Sequence, residues 1–199
     1  MISPKITLVI CAHNEEKYIG ECLHSAIENS HGNFSEILVI DNASTDKTGE
    51  VAGKFPGVRV VREEKKGLTH ARQRGLTEAT GEYIAYLDAD TRLTPHWLPL
   101  AIKIFSENQN VVSLSGPPKY YGGTKIKDFF LHIIWWIFAP LTYRFVGYMV
   151  FGADFIAKRK ALLAIGGFDT KIAFYGEDTD IARRLSAQGK AMFRMDMFI

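Results

Sequence analysis

The sequence predicts an α/β fold in which helices flank a mostly parallel β-sheet. In the first half of the 199 residues, short apolar runs rich in β-branched residues alternate with stretches of helical period, as in consecutive β–α–β units. Apolar residues make up 47% of the chain and charged residues 23%, which is ordinary for a globular domain and excludes a disordered or disulfide-stapled chain. We therefore expect a single domain over residues 1–199.

Four strand–helix pairs account for the first half. The predicted strands are Lys5–Cys11, Glu36–Ile40, Val58–Val61 and Glu82–Leu87. The predicted helices begin at Glu15, Thr45, Gly67 and Thr94. Thr94 followed by Pro95 is typical of a helix N-cap and first position, and Ser44 or Thr45 is a candidate N-cap of the second helix.

The second half is organised differently. An apolar segment at 129–151 carries one formal charge, on Arg144. It is followed by a predicted strand, two helices and a last strand, at Gly152–Lys158, Arg159–Ile165, Glu177–Gln188 and Ala191–Met195. Because the chain stops directly after this strand, we expect that a C-terminal segment is missing.

Charge, cysteines and the N-terminus limit the partners and the compartment. The formal net charge of +2 gives no basic field for nucleic acid. Cys11 and Cys22 have no metal-ligand spacing, and a reduced, buried state is expected. The apolar run Ile6–Ala12 is too short for a signal-peptide core. These features predict a cytoplasmic protein, or one on the cytoplasmic face of a membrane.

Two carboxylates close the fourth predicted strand. Asp88 and Asp90 flank Ala89 directly after an apolar run. Such a pair can share Mg²⁺ or Mn²⁺, which prefer oxygen ligands together with substrate phosphates. A turn with two solvated acids explains the same tripeptide, and the spacing alone leaves both interpretations open.

Other strands also end in polar residues. Asn14 and Glu15 follow the first strand and Asp41 follows the second. Ligands of parallel sheets bind outside the carboxyl ends of the strands, so these side chains are expected in one crevice. Capping explains Ser44 but not Asp41, whose carboxylate is suited to accept hydrogen bonds from a base or a sugar.

Two helix starts carry clustered charges. Glu177, Asp178 and Asp180 open one helix, where the dipole favours acids and crowding raises a carboxylate pKa toward that of a general base. Lys66 and Arg72 lie at the start of another helix. There they either hold a diphosphate or form the solvated face of an ordinary amphipathic helix.

Taken in order, these motifs resemble the family-2 glycosyltransferases, over essentially the whole chain. The matching motifs are Asn14–Glu15, Asp41-x-x-Ser44-x-Asp46, Gly67 with Ala71–Arg72, Asp88-x-Asp90, Gly166-Gly167-Phe168-Asp169 and Glu177–Asp178. The resemblance implies a GT-A-type, Rossmann-like fold and an inverting enzyme that uses a UDP- or GDP-sugar. Cys11 and His13 depart from the family's usual Pro and Tyr. The Gln-x-x-Arg-Trp segment of processive members is not visible, which puts polymerisation in doubt.

The resemblance also implies a role for each site residue. It divides the chain into a nucleotide-sugar half at 1–118 and an acceptor half at 119–199. The nucleoside is implied to lie among Ala12, His13, Asn14 and Glu15, with its base in contact with Asp41 and Arg72. Its ribose is implied to contact Asp88 and Ala89. A Mg²⁺ or Mn²⁺ ion is implied to be held by Asp90 together with Asp88. Asp178 is implied to be the catalytic base, with Glu177 beside it on the acceptor side.

The aromatic residues are concentrated in one block. Eleven of them fall between 120 and 151, among them Tyr120, Tyr121, Phe129, Phe130, Trp135 and Trp136. The longest uncharged run is shorter than the roughly 20 residues of a membrane span, but the aromatics have basic flanks, as at a membrane interface. A helix packed on the sheet, or a homo-oligomer interface, is the alternative. Our hypothesis is that the block docks on a bilayer and admits a lipid-linked acceptor, with Trp135 and Trp136 on the acceptor side.

Three other classes of protein fit the sequence less well. A haloacid-dehalogenase-like phosphatase could use Asp88 as a nucleophile with Asp90, but its motif normally follows the first strand. A nucleotidylyltransferase needs a Gly-rich loop after the first strand, and Cys11–Asn14 is no such loop. A non-catalytic sugar-nucleotide-binding protein at a membrane would not need Asp178 as well as Asp88 and Asp90.

Overall fold

A computed structural model describes residues 4–119, 125–173 and 175–199. In that part of the chain there are seven strands: β1 (Ile6–Ala12), β2 (Glu36–Asn42), β3 (Val58–Glu63), β4 (Tyr83–Asp88), β5 (Val111–Ser115), β6 (Asp154–Lys158) and β7 (Lys190–Phe193). The helices are α1 (Ile19–Ser30), α2 (Thr48–Ala52), α3 (Leu68–Glu78), α4 (Trp97–Glu107), α5 (Lys125–Val146), α6 (Arg159–Ala164) and α7 (Glu177–Ser186).

All seven strands form one sheet in the order β3-β2-β1-β4-β6-β5-β7. Strand β6 runs antiparallel to β4 and β5, whereas the other neighbouring pairs are parallel. The prediction of a mostly parallel sheet is therefore confirmed, and β6 makes the sheet mixed. Six strands end at the same side of the sheet and β6 begins there; we call this side the carboxyl edge.

Helices cover both faces of the sheet. Alternate residues of β1 point to opposite sides, so that Leu8 packs in a core with Trp97 of α4, and Val9 in a second core with Ala71 of α3. Burial on both faces explains why the central strands read as continuous apolar runs. Helix α3 lies very close to β1, because a Cβ added at Gly75 would come within 2.4 Å of Val9 Cγ1.

Strand β5 was not predicted from the sequence. Serines interrupt its apolar run, but both Ser113 and Ser115 are buried. The Ser115 hydroxyl donates to the carbonyl oxygen of Asp154 at 2.9 Å and accepts from the Phe151 amide at 2.8 Å. The hydrogen bonds of the buried Ser115 hydroxyl thus come from residues that are distant in the sequence. A local sequence pattern therefore cannot predict that this serine belongs to a buried strand.

The predicted N-caps were wrong. Helix α4 begins at Trp97, and the Thr94 hydroxyl donates instead to the carbonyl oxygen of Phe198 at 3.0 Å. Helix α2 begins at Thr48, whose amide donates to Asp46 Oδ1 at 2.9 Å. Ser44 and Thr45 bond to another loop, described below. In each case a partner far along the chain takes the hydroxyl that local capping would have used.

Helix α5 carries most of the aromatic block and continues through Pro140. Trp135 contacts Phe151 and Phe193, whose ring centroids lie 5.2 and 6.5 Å from its own. Tyr120 and Tyr121 lie outside the described residues, as do the side chains of Phe129 and Phe130. Among the helices described, none combines the length and the apolarity that crossing a bilayer requires.

Candidate active site

The carboxyl edge brings together polar residues from three central strands. Ala12 at the end of β1 pairs with Asp41 of β2, and Cys11 pairs with Asp88 of β4. The residues that follow β1 and β4, including Asp90, therefore lie side by side. This adjacency follows directly from the parallel register, since parallel strands whose last residues are paired lead into loops on the same side of the sheet.

The loop after β1 is bonded to the loop after β2. The Asn14 amide donates to Ser44 Oγ at 3.1 Å, and Asn14 Oδ1 accepts from the Thr45 amide at 2.7 Å. The Glu15 amide donates to Thr48 Oγ1 at 2.7 Å. Asn14 has a φ of 57°, a left-handed conformation that Asn tolerates better than most residues. These contacts fix the two loops as one unit.

His13 belongs to the same unit. Its Nδ1 lies 2.6 Å from the carbonyl oxygen of Asn42, so this nitrogen carries the proton and donates. The ring is half-buried. The hydrogen bond fixes the ring orientation at the mouth of the crevice, beside the buried Ala12.

Asp41 is buried and paired with an arginine that the sequence analysis missed. Its Oδ2 lies 2.8 Å from Arg62 Nη1, and its Oδ1 accepts from the Ser44 amide at 3.2 Å. The hydrogen bond to Asp41 raises the pKa of Arg62. Gly49 makes room for the carboxylate, because a Cβ there would come within 2.8 Å of Asp41 Oδ2. The sequence of β3, VRVVRE, has no regular alternation that could have identified Arg62.

The two acids after β4 differ in exposure. The Asp88 side chain is 31% exposed and its Oδ1 lies 3.3 Å from Arg72 Nη2, whereas Asp90 is exposed and Ala89 is buried. Burial raises the pKa of Asp88, and Asp90 adds to this effect while Arg72 opposes it. Asp90 is thus the more exposed carboxylate of the pair.

The negative potential at this edge suits a divalent cation. The pKa of Glu15 is raised by its burial, and further by the charges of Asp90, Asp46 and Asp88. Within the described residues, no three His, Cys, Asp or Glu side chains converge to hold a metal by themselves. Mg²⁺ and Mn²⁺ sites that use one or two carboxylates together with substrate phosphates fit this arrangement.

Arg72 lies beneath the site and is 1% exposed. Its Nη2 donates to the carbonyl oxygen of Gly152 at 2.6 Å and to Asp88, and its Nη1 lies 3.4 Å from Glu177 Oε1. A side chain at Gly152 would come within 3.1 Å of both terminal nitrogens. The nucleotide contact predicted for Arg72 stays a prediction.

The three acids that open α7 face different partners. Glu177 turns its carboxylate toward Arg72 and is 15% exposed. Asp180 accepts from Arg184 Nε at 2.8 Å, and this hydrogen bond lowers its pKa. The expectation that crowding raises the pKa of these acids is therefore wrong for Asp180. Asp178 is half-buried and accepts from the Thr179 amide at 2.7 Å.

The tryptophans predicted on the acceptor side have different surroundings. Trp135 packs against Phe151 and Phe193, next to the carboxyl ends of β5 and β7. Trp136 is 60% exposed. Trp135 therefore holds α5 at the carboxyl edge, and Trp136 is turned toward the surface.

Comparison with known proteins agrees with this architecture. A mannosyltransferase from Pyrobaculum calidifontis, solved in complex with GDP-Man and Mn²⁺, superposes over 100% of this chain and 56% of its own, with a TM-score of 0.77 and 23% sequence identity. The glucosyl-dolichyl phosphate glucuronosyltransferase of Haloferax volcanii is 22% identical over 184 residues, which are 87% of this chain and 58% of that protein. The dolichol-phosphate mannosyltransferase of Pyrococcus furiosus is 34% identical over 130 residues, 62% of this chain and 36% of that protein.

These relatives are longer than the chain, which spans between about a third and three fifths of their lengths. The family model for glycosyl transferase family 2 matches residues 7–164, from β1 through α6. The match covers the loops after β1, β2 and β4 that build the crevice. The chain therefore belongs to glycosyl transferase family 2.

Proposed function

We propose that this protein moves a sugar from a UDP- or GDP-sugar to an acceptor hydroxyl or phosphate, with inversion at the anomeric carbon and with a divalent metal. The observation that carries the proposal is the shared edge itself. The carboxyl edge holds Asp41, Asp88, Asp90 and the first turn of α7. Arg72 links Asp88 to Glu177, the first residue of that turn. Donor, metal and base can thus act in one crevice.

Donor binding is assigned to the loops after β1, β2 and β4. The cross-bonded residues 13–15 line the nucleoside, and Asp41 faces the base with Arg62 behind it. Asp90, with Asp88, holds the Mg²⁺ or Mn²⁺ ion, which when bound neutralises the charge that develops on the leaving diphosphate. The Mn²⁺ and GDP-Man in the similar Pyrobaculum calidifontis mannosyltransferase support this assignment.

Asp178 is the residue that we assign as catalytic base. Of the acids that open α7, Glu177 is held by Arg72, and Asp180 by Arg184 and Arg183. The Asp178 carboxylate accepts from Thr179, its neighbour in the sequence. It takes the proton of the acceptor hydroxyl as the oxygen attacks the anomeric carbon. One displacement opposite the leaving group inverts that carbon.

Release of UDP from UDP-glucose, or of GDP from GDP-mannose, tests this function. The reaction is run with a short polyprenyl phosphate as acceptor, in Mn²⁺ and in EDTA. We expect metal-dependent release with at least one donor. Binding of both nucleotides without any turnover would favour the non-catalytic alternative, and release of phosphate from simple phosphate esters would favour a phosphatase. The family match already disfavours that phosphatase.

For the acceptor, we propose a lipid-linked molecule at a membrane surface. Among the α5 residues whose side chains are described, Trp135, Ala139, Pro140 and Tyr143 are buried or half-buried, whereas Ile137, Phe138 and Phe145 are exposed. Two of the relatives named above are dolichyl-phosphate enzymes. We propose that this helix meets the cytoplasmic face of a bilayer beside the crevice. A homo-oligomer that covers the same face is the alternative.

A further inference from the structure

Arg72 is a buried charge shared by the two motifs that the proposed reaction needs. Its guanidinium contacts Asp88 of the metal motif and Glu177 of the base motif, at 3.3 and 3.4 Å. These acids are 89 positions apart in the numbering of the chain. Because Arg72 is 1% exposed, its charge must stay paired, and a weaker contact with one acid leaves the other as its remaining charged partner.

The surroundings of Arg72 hold the guanidinium in one place. The Tyr86 hydroxyl donates to the Arg72 carbonyl oxygen at 3.2 Å, and the Gly152 carbonyl accepts from Nη2 at 2.6 Å. The glycine at 152 permits that approach, because a Cβ there would crowd both terminal nitrogens. The planar fork therefore has a fixed orientation toward its two carboxylates.

We propose that Arg72 is a positioning residue that couples the Asp88–Asp90 motif to the first turn of α7, so that binding of a metal-bound nucleoside diphosphate at β4 orders Asp178. This inference rests on the proposed function. Binding at Asp88 changes how strongly that carboxylate holds Arg72, and Arg72 transmits the change to Glu177. Asp178 is the next residue and moves with it. The base is thereby set only when the donor is in place.

Hydrogen exchange of residues 176–182, with and without Mn²⁺ plus GDP or UDP, tests the coupling without measuring activity. We expect the bound nucleotide to slow exchange in this segment of the unaltered chain. In Arg72→Lys, the single ammonium nitrogen cannot place separate donor nitrogens against Asp88 and Glu177 as the guanidinium fork does, so the slowing is lost at saturating nucleotide, and the Kd rises about tenfold.

Glu177→Gln changes the contact of Arg72 with α7 and leaves its contact with Asp88 unaltered. Arg72 keeps Asp88 and Gly152 in this variant, so nucleotide binding is retained while the slowing in 176–182 is lost. Glu177→Gln also tests the coupling between the two motifs if Arg72→Lys does not fold. Arg59→Lys is the matched control, because Arg59 also pairs with two carboxylates, Glu36 and Glu78, but at the opposite edge of the sheet. Its exchange response should match that of the unaltered chain.

The outcomes separate this inference from the function on which it rests. Nucleotide binding by the unaltered chain without slowing in 176–182 overturns the coupling and leaves the function standing. Slowing that persists in Glu177→Gln, or in a folded Arg72→Lys, overturns it as well. Failure of the unaltered chain to bind either nucleotide overturns the proposed function, and the coupling with it.

Discussion

Asp178 is the residue on which the proposed chemistry depends most directly. Asp178→Asn keeps the size of the side chain but cannot take a proton from the acceptor. We expect turnover to fall about 100- to 10,000-fold, with the Kd for the nucleotide nearly unchanged. Nucleotide release assays and calorimetry give the two quantities. Glu50→Gln, at an exposed acid paired with Lys54, is the control. Near-normal turnover in Asp178→Asn would show that another group is the base.

Asp154 predicts a pH dependence of stability. Its carboxyl is fully buried, with Oδ2 accepting from Trp97 Nε1 at 3.2 Å and Oδ1 without a hydrogen-bond partner. Burial raises its pKa well above the usual 3.8. Above about pH 4 the unfolded chain therefore releases a proton that the folded chain keeps, and the free energy of unfolding falls as the pH rises.

Asp154→Asn cannot titrate, so its Tm relative to the unaltered chain should increase from about pH 4 to pH 7. Each 1 kcal/mol corresponds to roughly 2–4 °C for a chain of this size. Asp196→Asn should show the opposite trend, but below about pH 4, because a hydrogen bond from Arg194 lowers the pKa of Asp196 and keeps it ionised in the folded chain while the unfolded chain binds a proton. Thermal denaturation followed by circular dichroism measures both. A Tm difference for Asp154→Asn that is independent of pH would mean that Asp154 is ionised in the fold.

At the level of single residues, the sequence predicted which acids lie at the site but not the arginines that pair with them. Asp41, Asp88 and Glu177 each end a strand or open a helix, which a local pattern can indicate. The arginines that hold them, Arg62 and Arg72, lie on other elements. An arginine pairs with whatever the fold brings within reach, so its partner depends on strand order rather than on spacing.

Among the elements, α5 carries most of the aromatic block. The sequence predicted a block of aromatic residues that either docks on a membrane or packs in the protein, and the helix leaves Phe138 and Phe145 60% and 85% exposed. We expect the chain to co-sediment with vesicles that contain anionic lipid. Phe138→Ser with Phe145→Ser should weaken this binding roughly tenfold, since two large apolar surfaces are lost.

Leu163→Ser is the control for the vesicle experiment, because Leu163 is an exposed apolar residue on α6. It should leave vesicle binding unchanged. Trp135 is unsuitable as a test residue, since its contacts with Phe151 and Phe193 hold the helix in place. Absence of vesicle binding, together with a dimer that the double variant dissociates, would assign the face to a homo-oligomer.

The central strands, which are continuous apolar runs, were predicted well. Strands β1, β2 and β4 agree with the sequence to within one or two residues. Strand β5 and the N-caps were missed for a shared reason, because Ser115, Thr94 and Ser44 find their partners on distant segments. Local propensity predicts secondary structure poorly where a polar side chain forms its hydrogen bonds with residues that are distant in the sequence.

For the whole molecule, strand order explains why the site exists. Placing β1 between β2 and β4 brings the loops after these strands together, and inserting β6 beside β4 places Gly152 over Arg72. The alternation of strands and helices predicted a parallel sheet. It did not predict that β6 enters antiparallel between β4 and β5, because that position depends on contacts between the two halves of the chain.

Calorimetric titration of the whole chain with GDP and with UDP, in Mn²⁺ and in EDTA, tests the central claim most directly. The account predicts that at least one nucleotide binds at least about tenfold more tightly in Mn²⁺, and that Asp90→Asn removes this metal-dependent gain because it lacks the exposed carboxylate of the pair. Binding that is equal in Mn²⁺ and EDTA, or that is absent for both nucleotides, would contradict it.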